Sequence, residues 1–293
     1  MNKFQYYPCY PDGKLKAFTV SYDDGNTCDE PLVELLRKYH AKGTFNINSA
    51  CFRGPEMPPP PPGKKWRRMT EEECLQVYGD DMEVAVHGAK HPFWDRMGSV
   101  GAMQDILDDK RGLERVFGRI IRGAAFPYGT FNDDVVEILR LAGFAYCRAT
   151  AVTKKLRLRE YDPLRFKGTV HSRDPETLEL AKKFAEETSP TGQLSLFYVW
   201  GHTYEFMQDD NWDFIEEVLA TVSDREDTWY CTNIELFDCL AAAERLQWNV
   251  DQTLVHNPTE LDVWLRRSLK FRDPEPAYYK IPAGATVALP ASE

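Results

Sequence analysis

A chain of 293 residues is long enough to bury a sizeable core, as one large domain or as a domain of about 240 residues with a small appendage. Its 43% apolar and 28% charged content is that of an ordered globular protein, and a net charge of −10 gives no general field for phosphate backbones or anionic membranes, which sets aside nucleic acid and membrane as partners. The cysteines (Cys9, Cys28, Cys51, Cys74, Cys147, Cys231 and Cys239) are scattered without a C-x-x-C pair, so neither a disulfide framework nor a cysteine zinc site is expected. The polar N-terminus does not read as a signal peptide, and no run approaches the roughly eighteen apolar residues of a membrane span. A cytoplasmic location is the expectation.

From residue 17 to about 245, short β-rich runs alternate with segments of helical period. Strand 17–22 comes first, then a helix with Pro31 in its first turn, Leu32, Leu35, Leu36 and Tyr39 at helical spacing, and Gly43 past its end. Strand 44–48 follows. The proline-rich stretch from Arg53 to Gly63 can neither continue a helix nor join a central strand, so it loops out. The basic run Lys64 to Arg68 reads as a solvated face. Thr70 and Glu73 form a capping box that starts the next helix.

Strand 82–86 precedes a long helix whose buried face carries Met103, Ile106, Leu107, Leu113, Val116 and Phe117. Next come strand 120–126, helix 132–142 closed by Gly143, and strands 144–148 and 164–171. Helix 175–186, strand 194–200, helix 212–222, strand 228–231 and helix 233–245 complete the series. After residue 246, runs at 253–256, 261–265 and 285–289 look like strands separated by turn residues. The division is therefore a β/α part over 1–245 and a small β appendage over 246–293, packing on the barrel or on a second subunit of a homo-oligomer.

Repeated β-then-α order means a parallel sheet, open or closed. The candidate reactive groups lie at strand ends: Asp23 and Asp24, His87 and His91, Pro127 and Tyr128, Arg148, His171, and His202. An open sheet would leave many of them far apart, whereas a barrel gathers every carboxyl end at one rim. The expected fold is α/β, a distorted (β/α) TIM-like barrel.

Two fragments propose one reaction. Asp23-Asp24-Gly25 follows the first strand, and His87-Gly88-Ala89-Lys90-His91 the third. One aspartate and two imidazoles make an open catalytic metal site, and the spare aspartate is a base for a water whose pKa the metal lowers. Pro92 disfavours helix at His91, which with the missing glutamate after His87 argues against a zincin. No serine or cysteine nucleophile and no glycine-rich phosphate loop has a recognisable setting.

At Ser21-Tyr22-Asp23-Asp24-Gly25, His87-Gly88-Ala89-Lys90-His91-Pro92, Ala125-Phe126-Pro127-Tyr128-Gly129 and Val199-Trp200-Gly201-His202, the chain resembles the polysaccharide deacetylases of carbohydrate esterase family four, in the family's motif order. The resemblance covers roughly 17–245. It implies a metal-dependent hydrolase that removes acetyl groups from sugars, with Asp24, His87 and His91 holding a divalent ion, zinc first, Asp23 as base and His202 as acid. The metal and the backbone N–H of Tyr128 would serve the oxyanion.

The chain departs from the family at Ala125, which stands where the family has the arginine that orients the catalytic aspartate, and at Gly88, which removes a hydroxyl that would fix a ligand ring. Arg148, at the end of the next strand, could reach the same rim and pair with Asp23; Arg122 lies earlier in its strand. His171 could bind substrate or tune the acid, and Tyr128, Trp94 and Trp200 are the aromatic candidates for sugar contact, among Phe93, Tyr204 and Trp212. Without export a wall polymer is out of reach, so the expected substrate is a soluble acetylated oligosaccharide or small glycoside. Two other readings stand: a carbohydrate-binding protein on a decayed enzyme scaffold, suggested by Ala125 and Gly88, and a non-haem iron enzyme using His87, His91 and Asp24 as a facial triad.

Overall fold

A computed structural model of the chain describes residues 4–54, 63, 65–188, 193–269 and 276–290. Most of the expected proline-rich loop, 55–62, and Lys64 of the basic run lie outside the described residues. The strands are β1 (Phe4–Cys9), β2 (Lys16–Asp23), β3 (Gly43–Ile47), β4 (Glu83–Val86), β5 (Gly123–Ala125), β6 (Tyr146–Val152), β7 (Phe166–Gly168), β8 (Val170–His171), β9 (Ser195–Gly201) and β10 (Thr228–Tyr230). Between and after them come α1 (Asp29–Lys38), α2 (Glu71–Tyr78), α3 (Gly98–Phe117), α4 (Asp133–Leu141), α5 (Thr177–Glu186), α6 (Thr203–Asp209), α7 (Trp212–Val222) and α8 (Asn233–Glu244).

One parallel sheet runs β7-β6-β5-β4-β3-β2-β9-β8, with β10 also on β2. Its two ends are consecutive pieces of chain. The run expected as a single strand over 164–171 divides at Thr169, whose carbonyl accepts from Lys154 N–H beyond β6 while its own N–H donates to Tyr198 O on β9. Gly168 is needed at this switch, since a Cβ there would lie 2.8 Å from the Tyr198 ring. The sheet is thereby curled into the barrel-like α/β fold expected from the alternation.

Alternation along each strand sorts the side chains. Phe18, Val20, Tyr22, Phe45, Ile47, Cys147, Phe197 and Val199 belong to the large apolar layer under the helices. Ala17, Tyr146, Phe166, Leu196, Tyr198 and Trp200 form a second layer with Leu236, Phe237 and Leu240 of α8. Toward the carboxyl ends the residues in phase with this second layer become polar: Ser21 and Asp23 on β2, Asn46 on β3, Arg148 on β6. That polar end is where the site forms.

After α8 come β11 (Gln247–Trp248), β12 (Leu254–His256), β13 (Val263–Leu269), β14 (Ala277–Ile281) and β15 (Thr286–Ala288), in two small sheets ordered β11-β12-β15 and β1-β13-β14. The N-terminal strand thus pairs with the C-terminal region, Cys9 opposite Trp264. Pro8 masks β1 in the sequence, yet it is tolerated because β1 is an edge strand. Val255, Val263, Leu265, Ile281 and Leu289 seal this layer against Ala242 of α8.

Asp109 of α3 is fully buried and clamps two strand ends, accepting from Ser49 N–H at 2.7 Å and His87 N–H at 2.9 Å; burial raises its carboxyl to about 7. Asp109→Ala strands both donors, and urea unfolding should show a loss of about 2–4 kcal/mol. A loss below about 0.5 kcal/mol would mean the clamp does not hold the rim.

Candidate active site

Asp23, the last residue of β2, is buried and faces Arg148 from β6, whose Nη2 donates to its two oxygens at 2.6 and 2.5 Å. Asn46 Nδ2 donates to Oδ1 at 2.8 Å. Burial alone would raise this carboxyl, but Arg148, His87 and His202 outweigh it and hold Asp23 well below the usual carboxylate range. Arg148 is paired directly opposite Ala125 in the β5–β6 register, and register partners share a face of the sheet. The guanidinium therefore enters the barrel beside the place an arginine at position 125 would have used.

Asp24 turns the other way. Its φ of 88° is left-handed backbone that few non-glycine residues adopt, and it carries the carboxylate to the rim, where Arg68 Nη2 donates to Oδ1 at 2.8 Å. Burial raises Asp24 as well, and Arg68 with the nearby imidazoles brings it below its ordinary value.

The histidine pair sits in a turn, as Pro92 requires: His91 has φ 56° and its N–H donates to Gly88 O at 3.2 Å. Gly88 is obligatory, because at φ 75° a Cβ would lie 2.9 Å from Pro92 Cδ and 3.1 Å from Asp105 Oδ2. The hydroxyl missing there is replaced by a backbone contact, His87 Nδ1 lying 2.9 Å from Ala125 O. A carbonyl only accepts, so Nδ1 carries the proton and Nε2 keeps its lone pair.

That lone pair points at His91 Nε2, 3.1 Å away, and one ligand atom each from Asp24, His87 and His91 lies within 4.8 Å of the others. Two nitrogens on a tetrahedral ion about 2.1 Å from each would be roughly 3.4 Å apart, so the set fits a divalent cation. Burial lowers both imidazoles, His87 to about 4, and so favours the neutral, ligating form.

On the opposite flank, His202 follows β9 and its Nε2 stands 4.0 Å from Asp23 Oδ2. Its Nδ1 is 3.2 Å from Glu205 Oε1, and its N–H donates to Glu205 Oε2 in a capping box that starts α6. Burial would lower this imidazole; Glu205 and Asp23 raise it above its ordinary value. His171 Nε2 lies 3.6 Å from Glu205 Oε2 and Arg173 Nη1 3.4 Å from Oε1. His171, His202 and Glu205 also lie within metal-ligand reach of one another, yet Arg173 N–H donates to His171 Nδ1 at 3.1 Å, which puts the neutral ring's proton on Nε2.

The aromatic candidates divide. Tyr128, 54% exposed at φ 58°, stacks on Phe93 at 3.8 Å and meets the His91 ring edge-on at 4.3 Å. Trp94 is 1% exposed, packs on Phe126 and donates to Asp105 at 2.8 Å, so the expectation that it contacts substrate is corrected. Its bulk is what the core under the histidine turn requires. Trp200 is 7% exposed, with the Arg148 guanidinium 4.4 Å over its ring and His171 edge-on at 4.4 Å. It backs the arginine and offers little surface to a sugar.

Residues 11–147 match the family model of polysaccharide deacetylase. Over that stretch, just under half of the chain, the sequence is similar to the polysaccharide deacetylases. The fold is shared with solved structures. A Mycobacterium smegmatis protein assigned to the polysaccharide deacetylases aligns at 14% identity and TM-score 0.55, over 82% of this chain and 96% of that one. The Xyl-CE4 domain of a multidomain xylanase from the hindgut metagenome of Trinervitermes trinervoides aligns at 12% identity and TM-score 0.52, over 78% and 92%. A Clostridium thermocellum family 4 acetyl xylan esterase, solved with a cobalt ion, aligns at 12% identity and TM-score 0.50, over 76% and 90%. At such identities the likeness is one of fold. No curated protein sequence gives a significant match.

Sequence reasoning missed three members of the site. Arg68 belongs to the run read as a solvated face, but its Nη1 donates to Asn48 Oδ1 at 2.9 Å as well as reaching Asp24. Asn48 in turn donates to the carbonyls of His87 (2.6 Å) and Gly88 (2.8 Å). Glu205 had a legible signal: it stands three residues after His202, the spacing of a capping box.

Glu205→Gln removes the charge that raises His202 and leaves burial to lower it. The high-pH limb of kcat/KM, where a general acid is lost, should move to lower pH. An unmoved limb would disconnect Glu205 from the acid.

Proposed function

We propose that the protein is a metal-dependent hydrolase that removes acetyl groups, N- or O-linked, from a soluble carbohydrate. One observation carries the reading: a carboxylate that is not part of the three-ligand set, Asp23, stands between that set of Asp24, His87 and His91 on one side and the imidazole of His202 on the other.

Zinc suits one carboxylate and two neutral imidazoles, and such an ion, when bound, lowers the pKa of water and polarises an acyl oxygen. The chain's own groups do the rest. Asp23, kept ionised by Arg148, takes a proton from water as the oxygen adds to the acetyl carbon. The backbone N–H of Tyr128 is assigned to the oxyanion. His202 gives its proton to the sugar nitrogen or oxygen as the C–N or C–O bond breaks, which yields acetate and the deacetylated sugar.

Ala125 and Gly88, which suggested a decayed binding scaffold, each have a geometric replacement: Arg148 holds Asp23, and Ala125 O fixes the His87 ring. That supports catalysis over mere binding.

Asp23→Asn should retain the metal and lose about 10²–10⁴-fold in kcat, whereas His87→Ala should lose metal and activity together, as read by elemental analysis and acetate release from a chromogenic acetyl ester. Normal rates in Asp23→Asn, or a chelated enzyme that works undiminished, would sink the mechanism.

A further inference from the structure

Between β6 and β7 the chain runs as a strap beside the seam where β7 approaches β9. Leu196 N–H donates to Leu156 O at 2.6 Å, Leu158 N–H donates to Leu194 O at 2.9 Å, and Arg157 and Ser195 form an antiparallel bridge, so 156–158 is laid along the start of β9. The strap does not fill the seam. A cavity of about 540 Å³ opens between it and the sheet, within the range of small-ligand sites, about 300–1,000 Å³. Phe166 and Leu196, both nearly fully buried, close its floor, and Val152, Leu156, Leu158 and Tyr161, half-buried, form its walls.

The charge around this cavity runs against that of the chain. Acidic residues outnumber basic ones 46 to 36 in the whole sequence, yet residues 154–167 hold six cations, Lys154, Lys155, Arg157, Arg159, Arg165 and Lys167, against two acids, Glu160 and Asp162, a local excess of +4. All of them except Lys154 line the cavity. Arg165 is held by Asp133 and Asp162 at 2.6 Å each, and Arg157 stands 4.0 Å from Glu187. Lys155, Arg159 and Lys167 are exposed and have no carboxylate in ion-pair range among the described residues. Cations at the mouth of a low-dielectric cleft focus its field and concentrate anions there. An inorganic anion would leave the apolar walls uncovered, and a neutral apolar molecule would leave the three charges unanswered. A flat apolar body that ends in one anionic group satisfies both, its rings against Tyr161 and the leucines and its charge among the three cations.

We propose that this cavity binds a small amphipathic anion, an aromatic body carrying one carboxylate, sulfonate or phosphate, at a place that shares no lining residue with Asp23, Asp24, His87, His91 or His202. The test is fluorescence titration of the full chain with 8-anilinonaphthalene-1-sulfonate, in chelator so that no metal offers the anion a rival site. One probe should bind per chain with a Kd below about 100 μM. N-phenyl-1-naphthylamine, the same rings without the sulfonate, should bind at least about tenfold more weakly, and inorganic sulfate at about 1 mM should not displace the probe. Lys155→Gln, Arg159→Gln and Lys167→Gln together should weaken the probe about tenfold or more. The same loss of charge from helix surfaces, by Arg111→Gln, Lys182→Gln and Lys183→Gln, should change it less than about twofold, because exposed charges beyond a Debye length are screened. A neutral probe that binds as tightly, a triple variant of the cavity mouth with the wild-type Kd, an equal loss in the helix-surface variant, or no binding up to about 1 mM overturns the site. The comparison of the charged and neutral probes uses the wild type alone and decides the matter whether or not the variants fold.

Discussion

The ion pair between Asp23 and Arg148 is the constraint on which the site depends. Along the sheet, β2 and β6 are four strands apart, which on a flat sheet would be about 19 Å. Contacts of 2.5–2.6 Å between their ends exist only because the sheet curls until both sides meet across its interior. The pair is fully buried, and so much charge is tolerated there only because each partner neutralises the other. Arg148 also covers the Trp200 ring, so the arginine joins the apolar interior to the polar rim.

From that curl follows a division of labour between two neighbouring carboxylates. Asp23 points inward to an arginine from the far side of the barrel; Asp24, in left-handed backbone, points to the rim and to the imidazoles. Their chemical difference comes from their partners alone. The same holds for the imidazoles: burial lowers His87 and His91, while Glu205 and Asp23 raise His202 above its ordinary value. Imidazoles lowered by burial thus stand on one side of a fixed anion, and an imidazole raised by its carboxylate neighbours on the other.

Much of this was legible because local rules carry it. Pro31 sits in the first turn of a real helix, the Thr70–Glu73 capping box forms, and Pro92 puts His91 in a turn. The acidic pair, both motif histidines and His202 were readable as strand-end residues, and the curled sheet brings them to one rim. What the sequence hid was non-local. Arg68 reaches Asp24 only because 65–69 pairs with 25–27, and no periodicity announces such a bridge. Pro8 concealed β1, whose partner lies some 260 residues away. Trp94 shows the opposite failure: adjacency to a motif suggested a ligand contact, where the fold needed a filled core.

The most direct test is where a metal binds. Crystals or X-ray absorption spectra of the zinc-loaded protein should show one ion bonded to an Asp24 oxygen and to Nε2 of His87 and of His91 at about 2.0–2.2 Å, with Asp23 still on Arg148. An ion held by His171, His202 and Glu205, or one that takes Asp23 as a ligand, would contradict the account.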